Sequence, residues 1–193
     1  MSDSKRIVTV VALIFIIAFA VWWIYPKQTI STNFEAEAIL YVAKEGGVHD
    51  GDTIYISVPL TRINPDIQME VSDLFWGEYV RLRFAKIDAP ELGDLGGDET
   101  SNFLKQLIAS GGNRVYLDLD NYAEPRFRDY YGDRLLGVVY VYINNKLVNV
   151  TAEVLRWGEA NYPNHIWTPK YEIPIPSEFD PNEWLEPSYP YAR

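Results

Sequence analysis

A chain of 193 residues, 48% of them apolar, has room for one domain of ordinary size and a few extras. It has no cysteine, which excludes a disulfide framework, a thiolate nucleophile and a cysteine-based zinc site. The net charge of −10 argues against a broad basic surface, so any phosphate-binding site has to be local.

Residues 7–25, IVTVVALIFIIAFAVWWIY, carry no charge. As a helix they would reach about 28 Å, one hydrocarbon core. Lys5 and Arg6 precede the run and Trp22, Trp23 and Tyr25 close it. That order predicts a membrane anchor with residues 1–6 inside and everything after Pro26 outside. The alternative is a cleaved signal peptide and a secreted product, but the run is long for one and no small-x-small site follows. A polar linker, 26–34, comes next.

Residues 35–44 predict a first strand, and Gly46-Gly47 and Asp50-Gly51 mark turns. Thr53 to Leu60 is β-branched and predicts a second strand. Residues 61–78 read as a loop broken by Asn64-Pro65 and Trp76-Gly77. Tyr79 to Ile87 alternates and predicts a third strand. Asp98 to Ala109 has helical spacing at Phe103, Leu104, Leu107 and Ile108, with Gly111-Gly112 as a stop. Val115–Leu119 and Leu135–Ile143 predict the fourth and fifth strands, with a hairpin-like turn at Asn144-Asn145. Residues 149–157 predict a second helix. The extension 163–193 holds seven of the twelve prolines and reads as coil wrapping the domain. Its aromatics Trp167, Tyr171, Phe179 and Trp184 are expected to staple that coil down. The domain, 35–162, is expected to be mainly β (α+β): a five-stranded Greek-key barrel of the oligonucleotide-binding type with flanking helices.

Three segments carry chemistry: Asp50-Gly51-Asp52-Thr53, Arg83 to Glu91, and Asp129 to Arg134. Asp52 opens the second strand and Asp88 closes the third. If these strands are antiparallel neighbours, both carboxylates reach one edge and could hold a hard cation such as Ca²⁺. Glu91, set apart by Pro90, suits a general base toward water. Arg83 and Arg134 suit a phosphate, since a guanidinium offers bidentate bonds and stays charged. Tyr130 and Tyr131 could stack on bases or pack their loop. Arg81 is a further substrate contact or a solvated strand residue. His49 reads as a turn residue, and nothing at His165 points to a metal.

These motifs resemble the staphylococcal nuclease (thermonuclease) family over about residues 36–162. Asp50 to Thr53 is similar to its first motif, Arg83 to Glu91 to its arginine-to-Asp-x-Pro-Glu segment, and Asp129 to Gly137 to its Asp-x-Tyr-Gly-Arg segment. The resemblance implies a Ca²⁺-dependent hydrolase of DNA and RNA leaving 3′-phosphate ends. It implies Asp52, Asp88 and the Ala89 carbonyl as metal ligands, Glu91 as the water-activating base, and Arg83 and Arg134 on the phosphate. Asp133 is an extra residue before Arg134; without a one-residue insertion, Asp133 would fill the arginine position. The expected partner is single-stranded DNA or RNA, met outside the membrane. Two rivals remain: a binding module that kept the barrel but lost catalysis, and an anchored Ca²⁺-binding surface protein. A pure binder has no need of Asp52, Asp88 and Glu91 together.

Overall fold

In a computed structural model that describes residues 34–168 and 177–186, seven strands build one sheet. In chain order they are β1 (Ala36–Ile39), β2 (Thr53–Ser57), β3 (Arg62–Ile63), β4 (Tyr79–Phe84), β5 (Arg114–Leu119), β6 (Leu135–Ile143) and β7 (Lys146–Asn149). Four helices accompany them: α1 (Pro65–Glu70), α2 (Gly97–Ser110), α3 (Val150–Asn161) and α4 (Pro181–Leu185). All described residues belong to one unit, Asn33–Arg193. The apolar run at 7–25, the linker up to residue 33 and Tyr171 lie outside the described residues. Among the described residues no helix is long and apolar enough to cross a membrane.

The sheet runs β2-β4-β6-β5-β1-β3, with β7 beside β6. Only β4 and β6 run parallel, pairing Leu82 with Leu135, Arg83 with Leu136 and Phe84 with Gly137. The fold is therefore mixed α+β, and the expectation of a closed five-stranded barrel needs correction. β2, at one end of the path, meets the residues just past β1 at a single bridge, Leu40 to Ile56, with Tyr41 N–H donating to the Tyr55 carbonyl at 2.8 Å. The reason is visible along one edge of β1. Its start pairs with β3, and it meets β2 only beyond its end. Pro59, between β2 and β3, lacks the N–H that a continuous ladder would need.

The stretch 61–78, expected to be a loop, instead holds β3, α1 and a 3₁₀ turn at Ser72–Leu74. The Asn-Pro pair taken as a breaker is a helix start. The Asn64 side chain caps the Asp66 N–H at 3.0 Å and Pro65 takes the first helical position, where its missing N–H costs nothing. Ile67 and Val71 then bury their side chains.

β2, β4, β5, β6 and the two longer helices form where their patterns place them, whereas β1 covers only Ala36–Ile39 of the strand expected over 35–44, and β7 and α4, the latter within the expected coil, are additions. β4 alternates, with Val80, Leu82 and Phe84 buried and Arg81 and Arg83 on the other face. α2 buries Leu104 and Ile108, and its Phe103 ring stacks on Trp157 of α3, centroids 5.0 Å apart. α3 starts on an Asn149 cap, and the Thr151 hydroxyl accepts the Val139 N–H at 3.1 Å, tying the helix to β6.

The described parts of the extension are built into the body. Trp167 and Trp184 are buried in the core, and Phe179 packs against it. Segment 177–180 is tied to the turn after β5: Ser177 Oγ donates to Asp120, and Asn121 N–H and Nδ2 both donate to Glu178 Oε1, at 2.7 and 2.9 Å. This attachment gathers Glu35, Asp118, Asp120 and Glu178. Burial first, then the charges of Glu35, Glu178 and Asp120, push the Asp118 carboxyl from its ordinary 3.8 up to about 7. Burial also raises Glu35.

Folding therefore takes up a proton at Asp118 between pH 3.8 and about 7. The group's contribution to stability is fully present below that window and lost as pH rises through it. Asp118→Asn is expected to stabilise the protein by ~1–2 kcal/mol near pH 8, after discounting for partial exposure, and to change little near pH 4. Thermal unfolding across this range checks it, and equal shifts at both ends would contradict it.

Candidate functional site

The antiparallel pairing of β2 and β4 sets Thr53 opposite Arg83. Asp52 thus lies at the edge where the chain leaves β4 toward Asp88; the strand ends at Phe84, short of the expected Ile87. Both carboxylates converge on one guanidinium: Arg83 pairs through Nη1 with Asp52 Oδ1 and through Nη2 with Asp88 Oδ1, the latter at 2.6 Å. The two acids differ in setting. The Asp52 side chain is 3% exposed and that of Asp88 50%, so Asp52 is the fixed anchor and Asp88 the solvent-facing arm.

Local packing holds this edge together. Asp50 is a turn former, its Oδ1 accepting the Asp52 N–H at 3.0 Å. Burial pushes the Asp50 carboxyl up, opposed by the nearby charge of Arg83. Asp52 Oδ1 also accepts the Thr53 hydroxyl at 3.1 Å, and Oδ2 accepts the Ala89 N–H at 2.7 Å. Gly51 must be glycine for lack of room, because a Cβ there would sit 2.5 Å from both the Ala89 Cβ and the Thr100 Cγ2. Gly97, first in α2, is pressed on the Glu91 carbonyl, 1.9 Å from where its Cβ would be. The turn, the Asp-Ala-Pro-Glu segment and the helix therefore interlock. Glu91 is held by its backbone and its side chain is exposed.

The third segment folds into a narrow loop returning to β6. Arg128 bridges to Leu135, and Asp129 N–H donates to the Arg134 carbonyl at 3.1 Å. Arg134 precedes β6, and the parallel register places it level with Arg81. Its Nε and Nη2 both bond the buried Asp129 Oδ2, at 2.7 and 2.6 Å. Asp133 pairs instead with Arg81, tying the loop to β4. At the tip, Tyr130 and Tyr131 are 78% and 79% exposed, their rings 5.6 Å apart and edge to face. They do not pack the loop against the core, and apart from this mutual contact their rings lie open to solvent.

Arg83 thus contacts both Asp52 and Asp88, and Ala89 contacts Asp52; Glu91 follows in the same segment, Arg81 shares the β4 face with Arg83, and Arg134 stands level with Arg81. Among the described residues no group of three or more acidic or histidine side chains is arranged to hold a metal. The donor set offered to a cation is two carboxylates. A guanidinium already bridges them, so they converge on a point of positive charge; water and main-chain oxygens would have to complete the six to eight oxygens Ca²⁺ prefers. His49 is a turn residue as expected, its Nδ1 3.0 Å from both Glu45 Oε2 and the Tyr55 hydroxyl.

One contact had no signal in the sequence. Trp167 and His165, in the proline-rich extension, both bond the main chain of Asp88. A cleft of about 570 Å³ also abuts the edge, reaching His49, which precedes Asp50, and Leu92, which follows Glu91.

No family model matches the chain, and no curated protein is significantly similar to it. The site's chemistry rests on its own residues.

Gly51→Ala is expected to destabilise the fold by ~1–3 kcal/mol, the cost of forcing a methyl between two packed groups. Denaturant unfolding checks this, and a change below about 0.5 kcal/mol would mean that the turn is not wedged against Ala89 and Thr100.

Proposed function

We propose that the protein is a membrane-anchored, thermonuclease-like phosphodiesterase acting on single-stranded DNA or RNA outside the membrane, with Ca²⁺ as cofactor. The observation that carries this reading is the bridge Asp52–Arg83–Asp88, an always-charged guanidinium fixed between a carboxylate just before β2 and one just beyond β4. The strand order β2-β4-β6-β5-β1, with its Leu40–Ile56 bridge, supports describing the sheet as an incompletely closed barrel of the oligonucleotide-binding type. The apolar run at 7–25 supports the anchor.

Asp52 and Asp88, with the Ala89 carbonyl, would hold Ca²⁺. When bound, the ion would neutralise phosphate charge and retain a water. Arg83 spends two of its five N–H groups on the aspartates, leaving donors for a phosphate oxygen. Arg134, steadied by Asp129, would approach the same phosphate from the β6 side. Glu91, exposed and without an ion pair among the described residues, takes a proton from water. The water oxygen attacks phosphorus, the bond to the 5′ oxygen breaks, and that oxygen gains a proton from solvent. One strand then ends in a 3′-phosphate and the other in a 5′-hydroxyl. Tyr130 and Tyr131 offer open ring faces on which flanking bases stack, and Arg81 adds charge beside them.

A second reading, a barrel that binds nucleic acid without cutting it, draws on the lack of a three-acid metal group among the described residues. A cleavage assay separates the two. The full chain in detergent should cut single-stranded DNA with Ca²⁺ and not with chelator, and Glu91→Gln should lower kcat at least ~100-fold. Binding without cleavage, or equal cleavage by the variant, sinks the enzyme reading. Arg134→Ala should likewise reduce kcat ~100-fold, and Asp133→Ala less than about tenfold. The reverse order would put Asp133, not Arg134, in the family's arginine position.

A further inference from the structure

Asp88 lies where the chain has left the sheet. Phe84 N–H still bonds the Asp52 carbonyl and Ala85 N–H the Gly137 carbonyl, at 2.7 and 2.9 Å. Lys86 then turns into the left-handed region, φ 63°, and the strand ends. Pro90 has no N–H to give. The peptide bearing a half-exposed carboxylate is thus beyond the ladder, where a backbone is ordinarily free to drift.

Here the peptide is held on one side by the Ala89 N–H bond to Asp52 Oδ2, at 2.7 Å, and on the other by a hook from late in the chain. Asp88 N–H donates to the Trp167 carbonyl at 2.8 Å. The Asp88 carbonyl accepts from His165 Nε2, also at 2.8 Å, so that nitrogen carries a proton. Both main-chain groups of one acid are bonded by residues nearly 80 positions later. The hook is itself fixed. The Tyr162 carbonyl, at the end of α3, accepts the His165 N–H and the Trp167 Nε1–H, each at 3.1 Å. Trp167 is buried in the core, and the His165 ring meets it edge-on, centroids 5.1 Å apart.

We propose that His165 is a positioning residue of the candidate site. From the hook Tyr162–Trp167 it holds the Asp88 peptide, so that the carboxylate stays on Arg83 and at the reacting phosphate. The catalytic part of this statement rests on the phosphodiesterase reading; the mechanical part does not. Packing of Trp167 explains why the hook is folded, but not why a polar ring should aim its N–H at this one carbonyl. A group displaced by about 1 Å loses much of its effect on rate, so a single distant hydrogen bond can matter to turnover without mattering to the fold.

The test compares the full chain with His165→Ala and His165→Gln, the latter keeping an amide N–H of similar reach. Two readouts are taken: amide hydrogen exchange over residues 86–91, and steady-state cleavage of single-stranded DNA. His165→Ala should speed exchange at Ala89, whose N–H belongs to the same peptide as the Asp88 carbonyl, at least tenfold while protection elsewhere in the core is unchanged. It should lower kcat about tenfold or more at a constant KM. His165→Gln should recover most of both. Unchanged exchange at Ala89, a loss of activity that follows a general loss of protection, or no recovery with Gln would each overturn the proposal. If the wild type does not cut at all, the phosphodiesterase reading fails and with it the catalytic part. Exchange then decides alone whether His165 holds Asp88.

Discussion

Everything at this edge depends on the guanidinium of Arg83 lying between two carboxylates. Asp52 is almost wholly buried, and a buried carboxylate without a partner is costly. Arg83 removes that cost and reaches on to Asp88. The contact follows from a register, Thr53 opposite Arg83, that the alternation of β4 fixes: a one-residue slip would put Arg83 in the core and Leu82 in water. The Asp50 turn, the Gly51 wedge and the Ala89 N–H then determine how Asp52 points. A polar triad is thus specified by an apolar pattern two steps removed from it.

The same pairing would bear on how an acidic protein meets the polyanionic substrate proposed for it. The site's arginines are already matched to acids: Arg81 to Asp133, Arg83 to Asp52 and Asp88, and Arg134 to Asp129. On a chain of net charge −10, a phosphate would compete with these carboxylates for the guanidinium donors. Binding of that kind is weak without a cation and strongly dependent on salt. Pre-pairing also has a benefit, since it holds long side chains in one geometry before any ligand arrives.

Much of this was legible in the sequence. The positions of β2, β4, β5, β6, α2 and α3 follow their patterns within a few residues, and the meeting of Asp52 with Asp88 follows from strand order alone. The exceptions have physical causes. Asn64-Pro65 serves equally as a breaker and as a capped helix start, and which one wins depends on whether Ile67 and Val71 find a core to enter. Full closure of the sheet failed at β1, where strand content gave no hint that β3 would compete for the same edge. The hook was invisible because its bonds to Asp88 use main-chain atoms and a separation no local pattern encodes. Arg81 and Asp133 look like unrelated surface charges until the loop folds back onto β4.

The central claim is that Asp52, Arg83 and Asp88 form one site at which a cation and a phosphate are handled together. Its most direct measurement is calorimetric titration of Ca²⁺ into the full chain and into Asp52→Asn and Asp88→Asn, with and without a single-stranded oligonucleotide. One site is expected, abolished by either substitution and tightened by the oligonucleotide. No binding by the wild type, or binding that survives both substitutions, would contradict the account.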